Sequence, residues 1–179
     1  LEIAKNFTNI YSKHFIPKFF IGDLKNIPLI DNSISLILTC HSIEPNRGYE
    51  EKILNELIRV SNGYIVLSEP IYENGNEKQK KHMDDNGYIN CLKSLIYKNQ
   101  NISVVYESQF PEEIYINNEE YTNSKSRNNG FSDLNKSTLF ILKKKEKSIY
   151  KDNTIFSCPI EKTKLFRERG FWISKEGFC

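Results

Sequence analysis

The sequence predicts an α/β domain, a parallel sheet with an antiparallel end, followed by a small C-terminal module. Three observations carry this. Short runs rich in β-branched residues, Ile34 to Cys40 and Tyr64 to Leu67, alternate with amphipathic stretches. The run Ile34-Ser35-Leu36-Ile37-Leu38-Thr39-Cys40 is apolar on both faces, as in a parallel sheet covered by helices. The last two strand-like runs, Ile102 to Tyr106 and Thr138 to Leu142, follow one another without a helix between, which predicts the antiparallel end.

Taken in order, Ile3, Ala4, Phe7, Ile10 and Tyr11 recur at helical spacing over residues 1 to 13. Phe19-Phe20-Ile21 reads as a short buried strand ended by Gly22-Asp23, and Asp31-Asn32-Ser33 as a turn into the strand 34 to 40. Pro45 to Gly48 is a loop. From Tyr49 to Val60, Ile53, Leu54, Leu57 and Ile58 share one face of an amphipathic helix. Asn62-Gly63 reads as its C-terminal cap, where a left-handed residue favours Asn or Gly. The strand Tyr64 to Leu67 ends at Ser68-Glu69-Pro70. Glu77 to Asp85 is a polar helix stopped near Gly87, and a shorter one surrounds Cys91, Leu92, Leu95 and Ile96. Residues 111 to 137 form a long polar stretch, uncommon inside a compact domain. Lys143 to Asn153 reads as a linker, so the chain divides into a core at 1–147 and a module at 148–179.

Composition narrows the function classes. The 179 residues carry 25 Lys and Arg against 23 Asp and Glu, a net charge of +2, which argues against a dedicated nucleic-acid binder. Lysine and asparagine number 20 each, as a genome rich in A and T codons would give, so the lysines are no binding signal. The cluster Lys143, Lys144, Lys145 and Lys147 reads as a solvated strand end or linker. No stretch approaches the ~20 apolar residues that span a bilayer. Cys40, Cys91, Cys158 and Cys179 follow no paired spacing, which predicts reduced thiols and a cytoplasmic protein. The eight glycines are too scattered to form a phosphate-binding loop.

Ligands of open α/β sheets collect beyond the carboxyl ends of the strands. Those positions hold Gly22-Asp23-Leu24, then His41-Ser42-Ile43-Glu44-Pro45-Asn46, then Glu69-Pro70-Ile71-Tyr72-Glu73. Three successive exits carry carboxylates. His41 is a candidate general base or a packed loop histidine.

These same residues carry a family resemblance. Ile21-Gly22-Asp23-Leu24-Lys25-Asn26-Ile27-Pro28-Leu29 with Asp31 to Ile37 resembles the adenine-side segment of class I S-adenosylmethionine-dependent methyltransferases. Glu56-Leu57-Ile58-Arg59-Val60 is similar to their "E..RV" helix end, and Tyr64 to Pro70 to their fifth strand. Glu44-Pro45-Asn46 and Glu69-Pro70-Ile71-Tyr72-Glu73 resemble a bacterial subgroup. The family's Asp at the start of the fourth strand is Ser35 here.

The resemblance implies a Rossmann-like sheet ordered 3-2-1-4-5-7-6, with S-adenosylmethionine as cofactor and a small-molecule acceptor as partner. Gly22, Asp23 and Leu24 would meet adenine, and Cys40, His41 and Ser42 the methionine portion. Glu44, Asn46, Glu69 and Tyr72 would serve catalysis. The Gly-rich first loop of the family is not seen, so the sheet is expected to be incomplete, without its first two strands. Phe19 to Ile21 would then pair beside Ile34 to Cys40 or stay unpaired, and this segment alone would bind the methyl donor weakly.

The terminal module looks like a zinc-ribbon-like tail. Glu161 stands where a second cysteine is needed, and Cys158 with Cys179 are too few for a closed site, so no metal is expected. The alternative to an enzyme is a non-catalytic Rossmann-like scaffold that has lost its cofactor-binding half.

Overall fold

Parallel pairing sets the centre of the sheet. The computed structural model describes residues 20–109, 136–145, 155–168, 171–174 and 177–178. Strands β1 (Ile34–Cys40) and β2 (Ser61–Pro70) run side by side, with Ile37 level with Ile65 and Cys40 with Ser68. The crossover is helix α1 (Glu50–Val60), whose Ile53, Leu54, Leu57 and Ile58 are buried as one stripe. Glu50 and Glu51 in its first turn and Arg59 in its last complement the helix dipole.

After β2 come a 3-10 turn (Tyr72–Asn74), α2 (Glu77–Asp85) and α3 (Leu92–Lys98). The start of α2 is specified by a capping box: the Asn76 side chain accepts from Gln79 N, and the Gln79 side chain from Asn76 N. Gly87 ends this stretch at φ +65°. Strands β3 (Ile102–Gln109) and β4 (Ser137–Lys144) are antiparallel, and β4 inserts between β2 and β3. The order is β1-β2-β4-β3, a mixed sheet in a mixed α/β fold.

The sheet has two unlike faces. Ile37, Ile65, Leu67, Phe140 and Leu142 share a core with α1 and with Leu92 and Ile96 of α3. On the opposite face Leu36 and Leu38 are 54% and 69% exposed. The double-sided coverage expected of β1 is therefore absent among the described residues. Cys40 is likewise exposed.

Three further expectations change. Phe20 and Ile21 form no strand, and Ile21 is 86% exposed, so of the two outcomes foreseen for that run its described part is unpaired; Phe19, like the helix expected at 1–13, lies outside the described residues. Asn62-Gly63 is no helix cap. Helix α1 ends at Ser61, already extended at φ −73° and ψ 141°, and Gly63 lies inside β2. A Cβ at Gly63 would meet the Ser35 carbonyl oxygen at 2.3 Å, so close strand packing, not a left-handed turn, requires glycine there. Lys144 is no solvated strand end: its ammonium donates to the carbonyls of Ile58 and Ser61 at 2.7 and 3.0 Å, closing the end of α1.

The C-terminal residues build a second, antiparallel sheet, β5 (Phe166–Glu168), β6 (Phe171–Ser174) and β7 (Gly177–Phe178). The segment before it lies along residues 28–30, with Ile30 N donating to Ile155 O at 2.9 Å and Ser157 N to Pro28 O at 3.2 Å. The Phe156 ring sits between Phe20 and Trp172, at centroid distances of 5.6 and 4.9 Å. Cys158 is disulfide-bonded while Cys40 and Cys91 are free, so the expectation of four reduced thiols fails at Cys158. Among the described residues no helix is long and apolar enough to cross a membrane.

Candidate functional site

The register of the parallel pair brings the carboxyl ends of β1 and β2 level, and His41 N donates to Ser68 O at 3.1 Å. His41 then adopts φ +49°, the left-handed region that histidine enters more readily than most side chains. The chain turns sharply there, and Glu69 holds the turn. Glu69 is 0% exposed, and its carboxylate accepts from the backbone N–H groups of Ser42 and Ile43, both at 3.2 Å. Burial pushes its carboxyl above the ordinary range, with those N–H bonds acting in the opposite direction. The Asn46 amide closes the turn from the other end, donating to the carbonyls of Ser42 and Ile43 at 3.1 Å each.

Fixing this turn places His41 against Glu44, with Nδ1 2.8 Å from Oε2. Strand β4 adds a third group. Ser137 is the register partner of Pro70, and its Oγ lies 2.7 Å from His41 Nε2. The result is a row of carboxylate, imidazole and hydroxyl, the first two from the turn after β1 and the third from the start of β4. The hydrogen bond that His41 donates to Glu44 raises the imidazole pKa, with partial burial opposing it and the Glu44 and Glu69 charges adding to it. The His41 side chain is 36% exposed and that of Glu44 13%. Ser137 itself is buried.

The other expected residues fall in two places nearby. Tyr72 OH donates to Asp84 Oδ2 at 3.0 Å, and Asp84 also pairs with Arg47. That bond pushes the Tyr72 phenol up, and Arg47 holds Asp84 low. Asp23 sits in an exposed turn closed by Asn26 N to Asp23 O at 2.9 Å. Its carboxylate accepts from Lys25 N at 2.9 Å, which lowers its pKa. The Lys25 ammonium lies 4.9 Å from the Tyr49 ring centroid, joining this turn to the loop that follows Asn46. Gly22, Cys40 and Ser42 are exposed, and Leu24 is half-buried.

His41, Ser42, Glu44, Asn46 and Glu69 are thus brought together, while Tyr72 is engaged with Asp84. Glu69 and Asn46 spend their polar atoms on the backbone of the turn, which makes them positioning residues. Sequence reasoning missed Ser137. Its only signal is the antiparallel register of β4 on β2, which local pattern does not reveal. Among the described residues no group of His, Cys, Asp and Glu could hold a metal ion.

No family model matches the chain, and no curated protein matches it. Among solved structures it is similar to one titled "Crystal structure of MccD protein", with a TM-score of 0.52 at 18% identity over 80% of this chain and 75% of that one. At that identity the likeness is one of fold, a mixed α/β domain.

Proposed function

We propose that the protein takes part in S-adenosylmethionine-dependent methyl transfer to a small-molecule acceptor. One observation carries this reading. The order β1-β2-β4-β3, with a helical crossover between the parallel pair and an inserted antiparallel strand, matches the last four positions of the order 3-2-1-4-5-7-6 that the sequence resemblance implies.

The residues fit the donor chemically on the side they represent. Asp23 keeps a half-exposed carboxylate, held in its ionised form by Lys25, able to accept from an exocyclic amine. The exposed lip Cys40 to Ser42 would flank the methionine portion. When bound, the donor supplies a methyl group on a positively charged sulfur, and the carboxylates around the turn favour that charge. Glu69 and Asn46 hold the turn, Glu44 orients His41, and Tyr72 with Asp84 and Arg47 would line the acceptor side.

The test is calorimetric titration of S-adenosylmethionine and S-adenosylhomocysteine into the protein in its natural length, as wild type and as Asp23→Asn. Saturable binding weakened by the substitution supports the reading. No saturable binding up to millimolar ligand overturns it in favour of a scaffold.

A further inference from the structure

We infer that His41 is the general base that takes the proton from a neutral hydroxyl acceptor, with Glu44 as its positioning partner. The acceptor's identity as a methyl acceptor rests on the function proposed above; the base itself rests on the geometry of the turn.

The chemistry follows from the two ring nitrogens. Glu44 Oε2 at 2.8 Å from Nδ1 makes Nδ1 the protonated nitrogen, which leaves the lone pair on Nε2. A hydroxyl already points at that lone pair, Ser137 Oγ at 2.7 Å. Ser137 is 1% exposed, so it is poorly placed to attack a substrate itself; it shows instead which kind of group Nε2 accepts from. An incoming acceptor hydroxyl would take the place of Ser137 at Nε2, within the reach a general base needs.

The left-handed backbone at His41 supports a functional reading. A β-region residue would send the side chain elsewhere, and the strained conformation is kept in place by Glu69, Asn46 and the Ser68 carbonyl. Charge selects the acceptor. Among the described residues, the charged groups facing His41 are Glu44 from its own turn and Glu69 from the end of β2, while β4 contributes the Ser137 hydroxyl. Two carboxylates disfavour an anionic acceptor and favour a neutral hydroxyl, which needs a base to become nucleophilic. In the step, the acceptor O–H proton moves to Nε2. The electron pair left on oxygen forms the new bond to the methyl carbon, and the pair of the broken carbon–sulfur bond stays on sulfur.

The probe is diethyl pyrocarbonate, which acylates unprotonated imidazole, with modification of His41 followed by mass spectrometry across pH. The expected result is a pH midpoint for His41 above that of an ordinary histidine, moved downward in Glu44→Gln. In Ser137→Ala, where Nε2 is uncovered, modification should be faster. A midpoint at the ordinary value that Glu44→Gln leaves unmoved overturns the proposal. So does a His41 that stays unmodified at high pH in Ser137→Ala. Added S-adenosylhomocysteine separates the two readings: with the raised midpoint present, absence of protection sinks methyl transfer and leaves the base standing.

Discussion

Replacing Glu69 should loosen the turn that carries His41, and the cost can be worked from the bonds it makes. Glu69→Ala deprives the N–H groups of Ser42 and Ile43 of their acceptor. Ser42 is exposed, so water replaces the carboxylate there. Ile43 is 0% exposed, and its N–H is left without a partner, at about 1–3 kcal/mol. The void left by the side chain adds to this, while relief from burying a charged group subtracts, for a net loss of about 2 kcal/mol. Glu69→Gln keeps one carbonyl oxygen in place and should lose only about 1 kcal/mol.

The pH dependence has a definite sign. Because the folded carboxyl is raised, its stability contribution is complete below the unfolded value near 4.5 and is lost as pH rises through the folded value. Urea unfolding of the wild type and both variants, at a pH below 4.5 and at neutral pH, reads both quantities. The wild type's advantage over Glu69→Gln should shrink towards neutral pH. If Glu69→Ala costs no more than Glu69→Gln, the carboxylate is not what holds the turn.

Other substitutions probe the surroundings. Arg59 bonds both Glu56 oxygens and the carbonyls of Ile27 and Leu29, so Arg59→Met should cost about 3–5 kcal/mol in urea unfolding by stranding partly buried partners. Gly63→Ala forces a methyl against the Ser35 carbonyl and should cost about 1–3 kcal/mol in the same assay. Tyr72→Phe removes only an exposed bond to Asp84 and should leave the midpoint of a thermal melt unchanged. The raised His41 pKa means the stability from its Glu44 contact is complete below pH 6.5 and lost as pH rises through the folded value; Glu44→Gln should flatten that slope in melts across pH.

The elements that local pattern could reveal are those whose signal is local. Helix α1 is legible because Ile53, Leu54, Leu57 and Ile58 repeat at its own period. The extent of β2 was hidden because Asn-Gly after a helix suits a left-handed cap as well as a tight strand, and the deciding atom, Ser35 O, belongs to another strand. Phe20-Ile21 looks like a buried strand until one knows that no described neighbour pairs with it. In the site, His41, Glu44 and Glu69 could be singled out as polar groups at strand exits. Their division of labour could not, since only the register of β1, β2 and β4 decides which carboxylate meets backbone and which meets imidazole.

The C-terminal segment has a consequence for Asp23, far from it in sequence. Residues 23–31 are clasped on one side by Arg59 and on the other by the tail, through Leu29 with Phe156, Asn26 with the Pro159 carbonyl, and Lys162 with Asn26 and Glu56. The tail is a buttress for the turn that carries Asp23. Trimming the chain back from its C-terminus, or prising that segment away, would let the turn drift; under the methyl-transfer proposal, donor affinity would weaken while every residue proposed to touch the donor remained in place.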